Sequence, residues 1–330
     1  MIIGPVSRDV WWAVAEACPY ATFFHSPLWA ELAEAAGLAE ESCTVGMVGT
    51  NGTDYVLPTV RVPGALREYR STARSNYGGI VANGPVDPAD VDALYAHSFS
   101  GPLGTHLVTG NPLWVTLDRS PAPDSDWGRA TQGSTHILSL PDTSDGLIPG
   151  FSKGHKSSLK KGVKMGVTCR KADCIQDFQS YYQAYQASLV RWGDKATSQY
   201  EWSLFEAVFK MATSHPEHVQ LWLAERDGVL ASGALMFYWN DHAVWWHGAA
   251  HEDQFECYPN NVLIPHLMKL CIEREIKYFD FNPSGGHEGV ARFKGRFGAE
   301  IWPFQLYWQE GIATKVVSEA KGVARRLLGR

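Results

Sequence analysis

The sequence predicts an α+β protein of two domains, and three observations carry that prediction. At 330 residues the chain is too long for one typical core. Apolar runs separated by Asp227-Gly228 and Asn240-Asp241 form a meander over 219–250, the pattern of antiparallel strands joined by tight turns. Segments of helical period lie around that meander, so strands and helices are segregated and only helix-linked strands are expected to be parallel. The stretch 118–134, rich in Pro, Asp, Ser and Gly, reads as the connection between a domain 1–134 and a domain 135–330.

In the first half, Ser26 as cap, Pro27 at the first position and Gly37 beyond the end predict a helix over 26–36. Strands follow at 43–49 and 54–62, joined by Asn51-Gly52, where both residues accept positive φ. Asp87 to Ser98 reads as a second helix. The second half repeats this grammar: strand 135–140, helix 152–165, strand 167–171, helices 174–191 and 201–213, then strands 219–226, 229–239 and 242–250. The halves read as tandem copies of one fold, although their residues are too dissimilar to prove it.

The stretch from Tyr258 to Gly298 holds the densest signals. Asn260 or Asn261 is expected to cap a helix, with Pro265 at or just past its first turn and Val262, Leu263, Leu267, Leu270 and Cys271 on its buried face. Tyr278 to Asn282 reads as a buried strand on which Asp280 and Asn282 share one face and Phe279 and Phe281 the other. The loop Ser284 to Gly289 carries His287 and Glu288 among glycines, either closing over a substrate or lying plainly exposed. A hairpin is expected to follow to about 309. Strand geometry there would align Arg292, Lys294 and Arg296 as a cationic ridge.

A net charge of −6 argues against a chain that coats DNA or other nucleic acid nonspecifically, while leaving room for a local basic patch. Six cysteines without a Cys-x-x-Cys pair suit free thiols, and the cytoplasm is the expected compartment. The N-terminus has no basic region before an apolar run, and no window approaches the roughly 18 apolar residues that span a bilayer, so membrane insertion is not expected. His242, His247 and His251 fall on alternating faces, and no metal centre is expected from them. Gly-x-Ser-x-Gly is missing.

Between Lys153 and Lys171 there are seven basic residues and no acid. On a helix, Lys153, Lys156, Lys160 and Lys164 fall within roughly 80° of each other, as either a solvated face or a phosphate-binding one. A C-terminal helix over 312–328 is expected to carry Lys315, Lys321, Arg325, Arg326 and Arg330 against Glu319.

The run from Tyr258 through Phe293-Lys294 to Phe297-Gly298, with Phe279-Asp280-Phe281 before it, resembles the Fem-type aminoacyltransferases, whose fold is two tandem GNAT-like domains. The resemblance extends to 152–167, to Arg191-Trp192-Gly193 and, more loosely, to 23–32 and 76–80, and so covers most of the chain. It implies two GNAT-like domains, each a mixed, mostly antiparallel sheet flanked by helices. It also implies transfer of an aminoacyl group from a charged tRNA, as co-substrate and without a bound cofactor, onto the amine of a small molecule or peptide.

The resemblance carries Lys294 and the backbone of Phe293 to the reacting centre; Tyr258 and Trp192, inside the stretches that carry it, are candidates for binding substrate. Asp280-Phe281-Asn282 is similar to the Asp-x-Gln pair of the leucyl/phenylalanyl-tRNA-protein transferases, which gives Asp280 the acceptor amine and Asn282 a substrate carbonyl. Arg292, Arg296, His287 and Glu288 are the further substrate-binding candidates, and the four lysines of 153–164 those for tRNA phosphate.

Three departures qualify what the resemblance implies. The segment 174–213 is too short for the coiled-coil insertion with which some members touch tRNA. Ala33 stands where the bridge-forming enzymes carry a lysine for the precursor diphosphate, which points to an acceptor outside cell-wall assembly, such as one in specialised metabolism or antibiotic biosynthesis. Before the helix near Asn261, a CoA-using GNAT enzyme presents glycines that cradle pyrophosphate, whereas this chain has Glu252, Asp253 and Glu256. A CoA-dependent N-acyltransferase is thus the second reading, and a silent RNA- or anion-binding protein the third.

Overall fold

A computed structural model describes residues 2–64, 67–74, 76–98, 104–124, 127–193, 196, 199–311 and 314. The expected C-terminal helix, with Lys315, Lys321, Arg325, Arg326 and Arg330, lies outside the described residues. Contacts divide the chain into two compact units, Met1–Gly133 with the segment from Pro303 onward, and Ser134–Trp302.

The first unit contains β1 (Gly4–Pro5), α1 (Arg8–Ala17), α2 (Pro27–Ala35), β2 (Glu41–Ser42), β3 (Val45–Val48), β4 (Asp54–Leu57), β5 (Val60–Val62), β6 (Glu68–Arg70), β7 (Val81–Ala82), α3 (Pro88–Ser98) and β8 (Thr105–Thr109). One sheet runs β1-β3-β4-β7, and in another the order β8-β6-β5-β2 is antiparallel except for β6 beside β8. The Asn51-Gly52 turn forms as expected, with φ positive at Gly52 but not at Asn51, whose side chain instead accepts from the Thr53 amide at 3.0 Å. Ser26 precedes α2 without capping it: its hydroxyl donates to the Phe23 carbonyl at 2.7 Å. Leu28, Trp29, Leu32 and Ala33 of α2 are buried. At Ala33 the chain therefore has neither the charge nor the exposure to meet a diphosphate.

The second unit begins in β9 (Arg129–Ser139) and continues through α4 (Ser144–Leu147), α5 (Lys153–Lys164), β10 (Thr168–Lys171), α6 (Ile175–Trp192), α7 (Trp202–Ser214), β11 (Val219–Arg226), β12 (Val229–Trp239), β13 (His242–Ala250), α8 (Pro259–Glu273), β14 (Tyr278–Asp280), α9 (Glu288–Gly295) and β15 (Glu300–Glu310). β15 enters the first unit, where it pairs antiparallel with β8. Strand order in the second unit is β10-β11-β12-β13-β14-β9, antiparallel throughout except for β13 beside β14. That exception follows from α8, which returns the chain to the edge of β13 in the same direction. The meander forms within the expected bounds, because Asp227, Gly228 and Asn240 take the positive φ that their turns need.

α8 packs Val262, Leu263, Leu267, Met268 and Cys271 into a core with Met236, Ala243, Phe279, Phe281 and Phe297. Each such large apolar side chain contributes about 1.5–3 kcal/mol on burial. The helix starts earlier than its asparagines suggest. Pro259 is its first residue and Tyr258, in the left-handed region at φ 56°, precedes it without a side-chain cap. Asn260 and Asn261 therefore cap nothing, and Pro265 lies buried in the helix interior. α5 lies against α8, and Gly162 permits the approach: a Cβ there would meet Val262 Cγ2 at 2.6 Å and the Cys257 carbonyl at 2.9 Å.

Two further expectations change. β14 is three residues long and ends at Asp280, with Asn282 at φ 62°, so Asp280 and Asn282 do not share a strand face. The segment after the glycine loop is a helix, not the first strand of a hairpin. Glu288 at its head and Arg292 and Lys294 in its last turn suit the helix dipole.

Candidate active site

The site is assembled where β14, β9 and α9 meet in the second unit. On α9, successive residues turn by roughly 100°, so Arg292 and Arg296 share a side while Lys294 faces about 160° away. The expected ridge does not form. Arg292 and Arg296 are exposed, whereas Lys294 is turned inward with 5% of its surface accessible.

The Lys294 ammonium donates to the Asn282 carbonyl at 2.6 Å. Positive φ at Asn282 belongs to the turn that brings this carbonyl to the ammonium. No other hydrogen bond holds Lys294 among the described residues, and no carboxylate there lies within 4.0 Å of it. Burial pushes its pKa down to about 8, with the negative charge of Asp280 pulling the other way. The result is a desolvated cation with donor capacity to spare.

Asp280 is sealed. One carboxylate oxygen accepts from the Thr135 hydroxyl at 2.8 Å and the Asn282 amide at 2.7 Å, while the other faces His242 Nε2 at 3.2 Å. The carboxylate thus holds the turn after β14, and its single unit of charge faces Lys294 from inside the sheet. Asn282 is tied again through its side chain, which donates to the Trp246 carbonyl at 3.1 Å. Trp246 is the extra residue of a bulge in β13, since Leu235 pairs with His247 and Met236 with Trp245.

Phe293 supplies its carbonyl to His155 Nε2–H at 3.1 Å, and the His155 ring packs 5.0 Å from Phe293 and 4.2 Å from Phe297. Burial lowers the pKa of His155; its bond to the Phe293 carbonyl opposes the shift and the charge of Arg296 adds to it. His136, on β9, has its pKa lowered by burial and then by the charge of Lys294, against the pull of Asp280. Sequence reasoning missed Thr135, His136, His155 and Trp246. The available signal was a Thr-His pair entering an apolar strand; its partner strand lies too far along the chain to be inferred.

The remaining candidates lie elsewhere. His287 and Glu288 are exposed at the head of α9. Tyr258 lies beneath Lys161, 5.6 Å from ring to ammonium, and lines a groove with Lys164, Met165 and Glu256. Trp192 is 39% exposed at the end of α6, its ring 5.7 Å from the Arg191 guanidinium. Along α5, Lys153, Lys160 and Lys164 are exposed, whereas Lys156 is partly covered and donates to the Pro149 carbonyl at 2.9 Å. Ser152 caps this helix by accepting from the His155 amide at 3.3 Å. Among the described residues, the cluster with metal-ligating spacing is Asp173, Cys174 and Asp177, and Asp177 already pairs with Arg170 at 2.6 Å.

Residues 151–295 match the family model of the acetyltransferase (GNAT) domain. That places the chain in the acyltransferase class, with Lys294, Asp280 and His155 inside the matched domain. Among solved structures it is similar to FemX, at 14% identity over 92% of this chain and 97% of that one, with a TM-score of 0.67. It is also similar to the C-terminal domain of a proposed lysylphosphatidylglycerol synthetase from Agrobacterium fabrum (13% identity, 96% of each chain, TM-score 0.59). L-PGS from Bacillus licheniformis matches at 11% identity over 100% of this chain and 99% of that one, with a TM-score of 0.55. These identities establish a shared fold. No curated protein matches the chain in sequence.

The buried ammonium has a cost that a stability measurement reads. Below pH 8 Lys294 is protonated in both folded and unfolded chains, and the folded chain bears the desolvation. As pH rises through 8 the folded lysine loses its proton first, so the cost is relieved and is gone above the ordinary value of 10.5. Lys294→Met should therefore raise unfolding free energy at pH 7 by about 1–3 kcal/mol after the lost hydrogen bond. The gain should shrink between pH 8 and 10.5 in denaturant titrations. A loss of stability at pH 7, or a gain independent of pH, would contradict the geometry.

Proposed function

We propose that this acyltransferase moves an aminoacyl group from a charged tRNA onto the amine of a small molecule or peptide, forming an amide. The observation that carries the reading is Lys294: a desolvated cation with one hydrogen bond among the described residues, the 2.6 Å contact to the Asn282 carbonyl. Attack on an ester builds an oxyanion and then expels a ribose alkoxide. A cation held in a poorly solvated pocket stabilises the first, and its depressed pKa makes it a competent acid toward the second. Asp280 and Asn282 act as the frame that fixes the ammonium, with the sealed carboxylate orienting rather than exchanging protons. Phe293 enters through its carbonyl, which His155 holds.

Support for an ester donor over CoA comes from the start of α8. Pro259 brings no N–H, the Tyr258 amide already donates to Phe255 and the Asn261 amide to Tyr258, both at 3.0 Å. Amides so engaged, behind exposed Glu252, Asp253 and Glu256, make a poor pyrophosphate cradle. The lysine face of α5 supplies the complementary charge for tRNA, with Arg292 and Arg296 as a second patch. The GNAT match keeps a CoA-dependent N-acyltransferase as the second reading.

The deciding assay incubates the protein with total charged tRNA or with acyl-CoA, plus candidate amines, and follows amide formation. RNase-sensitive product is expected; RNase-insensitive product that requires CoA would install the second reading. Lys294→Ala should lower turnover by a factor on the order of a hundred or more while the protein stays folded. Wild-type turnover in that variant would remove Lys294 from the chemistry.

The lysine face has its own test. Replacing Lys153, Lys156, Lys160 and Lys164 together by Gln keeps helix propensity and removes like-charge repulsion. Charged tRNA should then bind at least about tenfold more weakly, and the slope of log affinity against log salt should flatten by roughly 0.7–0.9 per lost contact. An unchanged affinity and slope would make α5 a solvated face.

A further inference from the structure

We propose that His136 is the general base of the reaction, taking the proton from the attacking amine while Lys294 serves the leaving oxygen. The inference rests on the amide-forming reading above and adds to it a catalytic group.

Aminolysis of an ester must remove a proton from the acceptor nitrogen as well as give one to the leaving oxygen. Asp280 is excluded from the first task by its three partners and its complete burial. His242 is excluded as well, being 1% exposed and turned onto Asp280 at 3.2 Å. His155 spends its Nε2–H on the Phe293 carbonyl. His136 differs from all three. Its ring makes no hydrogen bond among the described residues, keeps 7% of the residue's surface accessible, and is not among the sealed, unpartnered polar groups.

Register places it at the reacting centre. Ile137 pairs with Asp280, and the Phe281 amide donates to the His136 carbonyl at 2.9 Å, so His136 stands opposite Phe281. Strand alternation puts Thr135 on the face of Asp280 and His136 on the face of Phe281. Phe281 stacks on Phe297 at 5.7 Å, immediately beyond α9. The face that carries His136 is thus the one against which Phe297 packs, just beyond the end of α9, and Lys294 lies near enough for its charge to act on the ring. The charged groups that act on the ring are Lys294 from α9 and Asp280 from β14. Their balance, with burial, keeps the imidazole neutral at pH 7, as a base must be.

The step balances. The acceptor N–H proton passes to the imidazole as the C–N bond forms. The ester C–O bond breaks, and the ribose oxygen takes a proton from the Lys294 ammonium. The imidazolium then returns its proton to the neutral lysine, directly or through water, and both groups are restored.

His136→Gln keeps polarity and approximate volume. It is expected to lower kcat by about thirtyfold or more with little change in donor KM, and to abolish the acid limb of the pH–rate profile. External imidazole should restore part of the rate to His136→Gly. Wild-type kcat with an unchanged acid limb in His136→Gln would overturn the proposal. A second measurement needs no turnover: the His136 ring, followed by NMR, should titrate below 6.5 and shift upward in Lys294→Met. An unmoved midpoint would overturn the juxtaposition. If the wild-type protein forms no amide from charged tRNA, the donor assignment fails, and the NMR titration still decides on His136.

Discussion

Everything at the site depends on one contact, the 2.6 Å hydrogen bond from the Lys294 ammonium to the Asn282 carbonyl. A cation taken out of water demands compensation, and here a single carbonyl and one buried carboxylate beyond direct reach provide it. Depression of the pKa from 10.5 to about 8 corresponds to a cost on the order of 3 kcal/mol. A fold of ordinary marginal stability retains such a cost only if the surroundings impose it. They do so through a chain of fixed points: Thr135 and His242 hold Asp280, Asp280 holds the Asn282 amide, and Asn282 reaches across to the Trp246 bulge.

The same chain explains why β13 and β14 pair over only three residues, from His242 with Tyr278 to Val244 with Asp280. Beyond Val244 the bulge carries β13 aside, and the positive φ at Asn282 turns the other strand away. Two parallel strands that separate at their C-terminal ends leave main-chain groups unpaired by the sheet, and it is there that the Asn282 carbonyl receives the Lys294 ammonium. Surface charge is divided in a compatible way, with lysines along α5 and acids in the loop before α8, so a chain of net charge −6 retains a cationic face.

Much of the fold was legible because its signals are local. The meander strands could be bounded to the residue, since Asp227-Gly228 and Asn240-Asp241 can do little but turn. α6 follows from the spacing of its aromatic and aliphatic residues. What failed was short or distant. Over eight residues, Glu288–Gly295, the alternation of Arg292, Phe293, Lys294 and Gly295 imitates a strand, and two turns of helix give periodicity no room to correct it. The inward turn of Lys294 and the outward turn of its arginine neighbours were lost with that assignment. Asn260 and Asn261 looked like caps because the left-handed Tyr258 that starts α8 has no sequence signature. Thr135 and His136 meet the site across 145 residues of chain, a pairing that no local pattern encodes.

The central claim is that Lys294 is a charged group in a nearly dry site, poised to lose its proton near neutrality. The most direct measurement is an NMR titration of the lysine side-chain resonances, with Lys294 assigned by its disappearance in a Lys294 substitution. The account predicts a Lys294 midpoint near 8. A Lys294 midpoint at or above the ordinary 10.5 would contradict it.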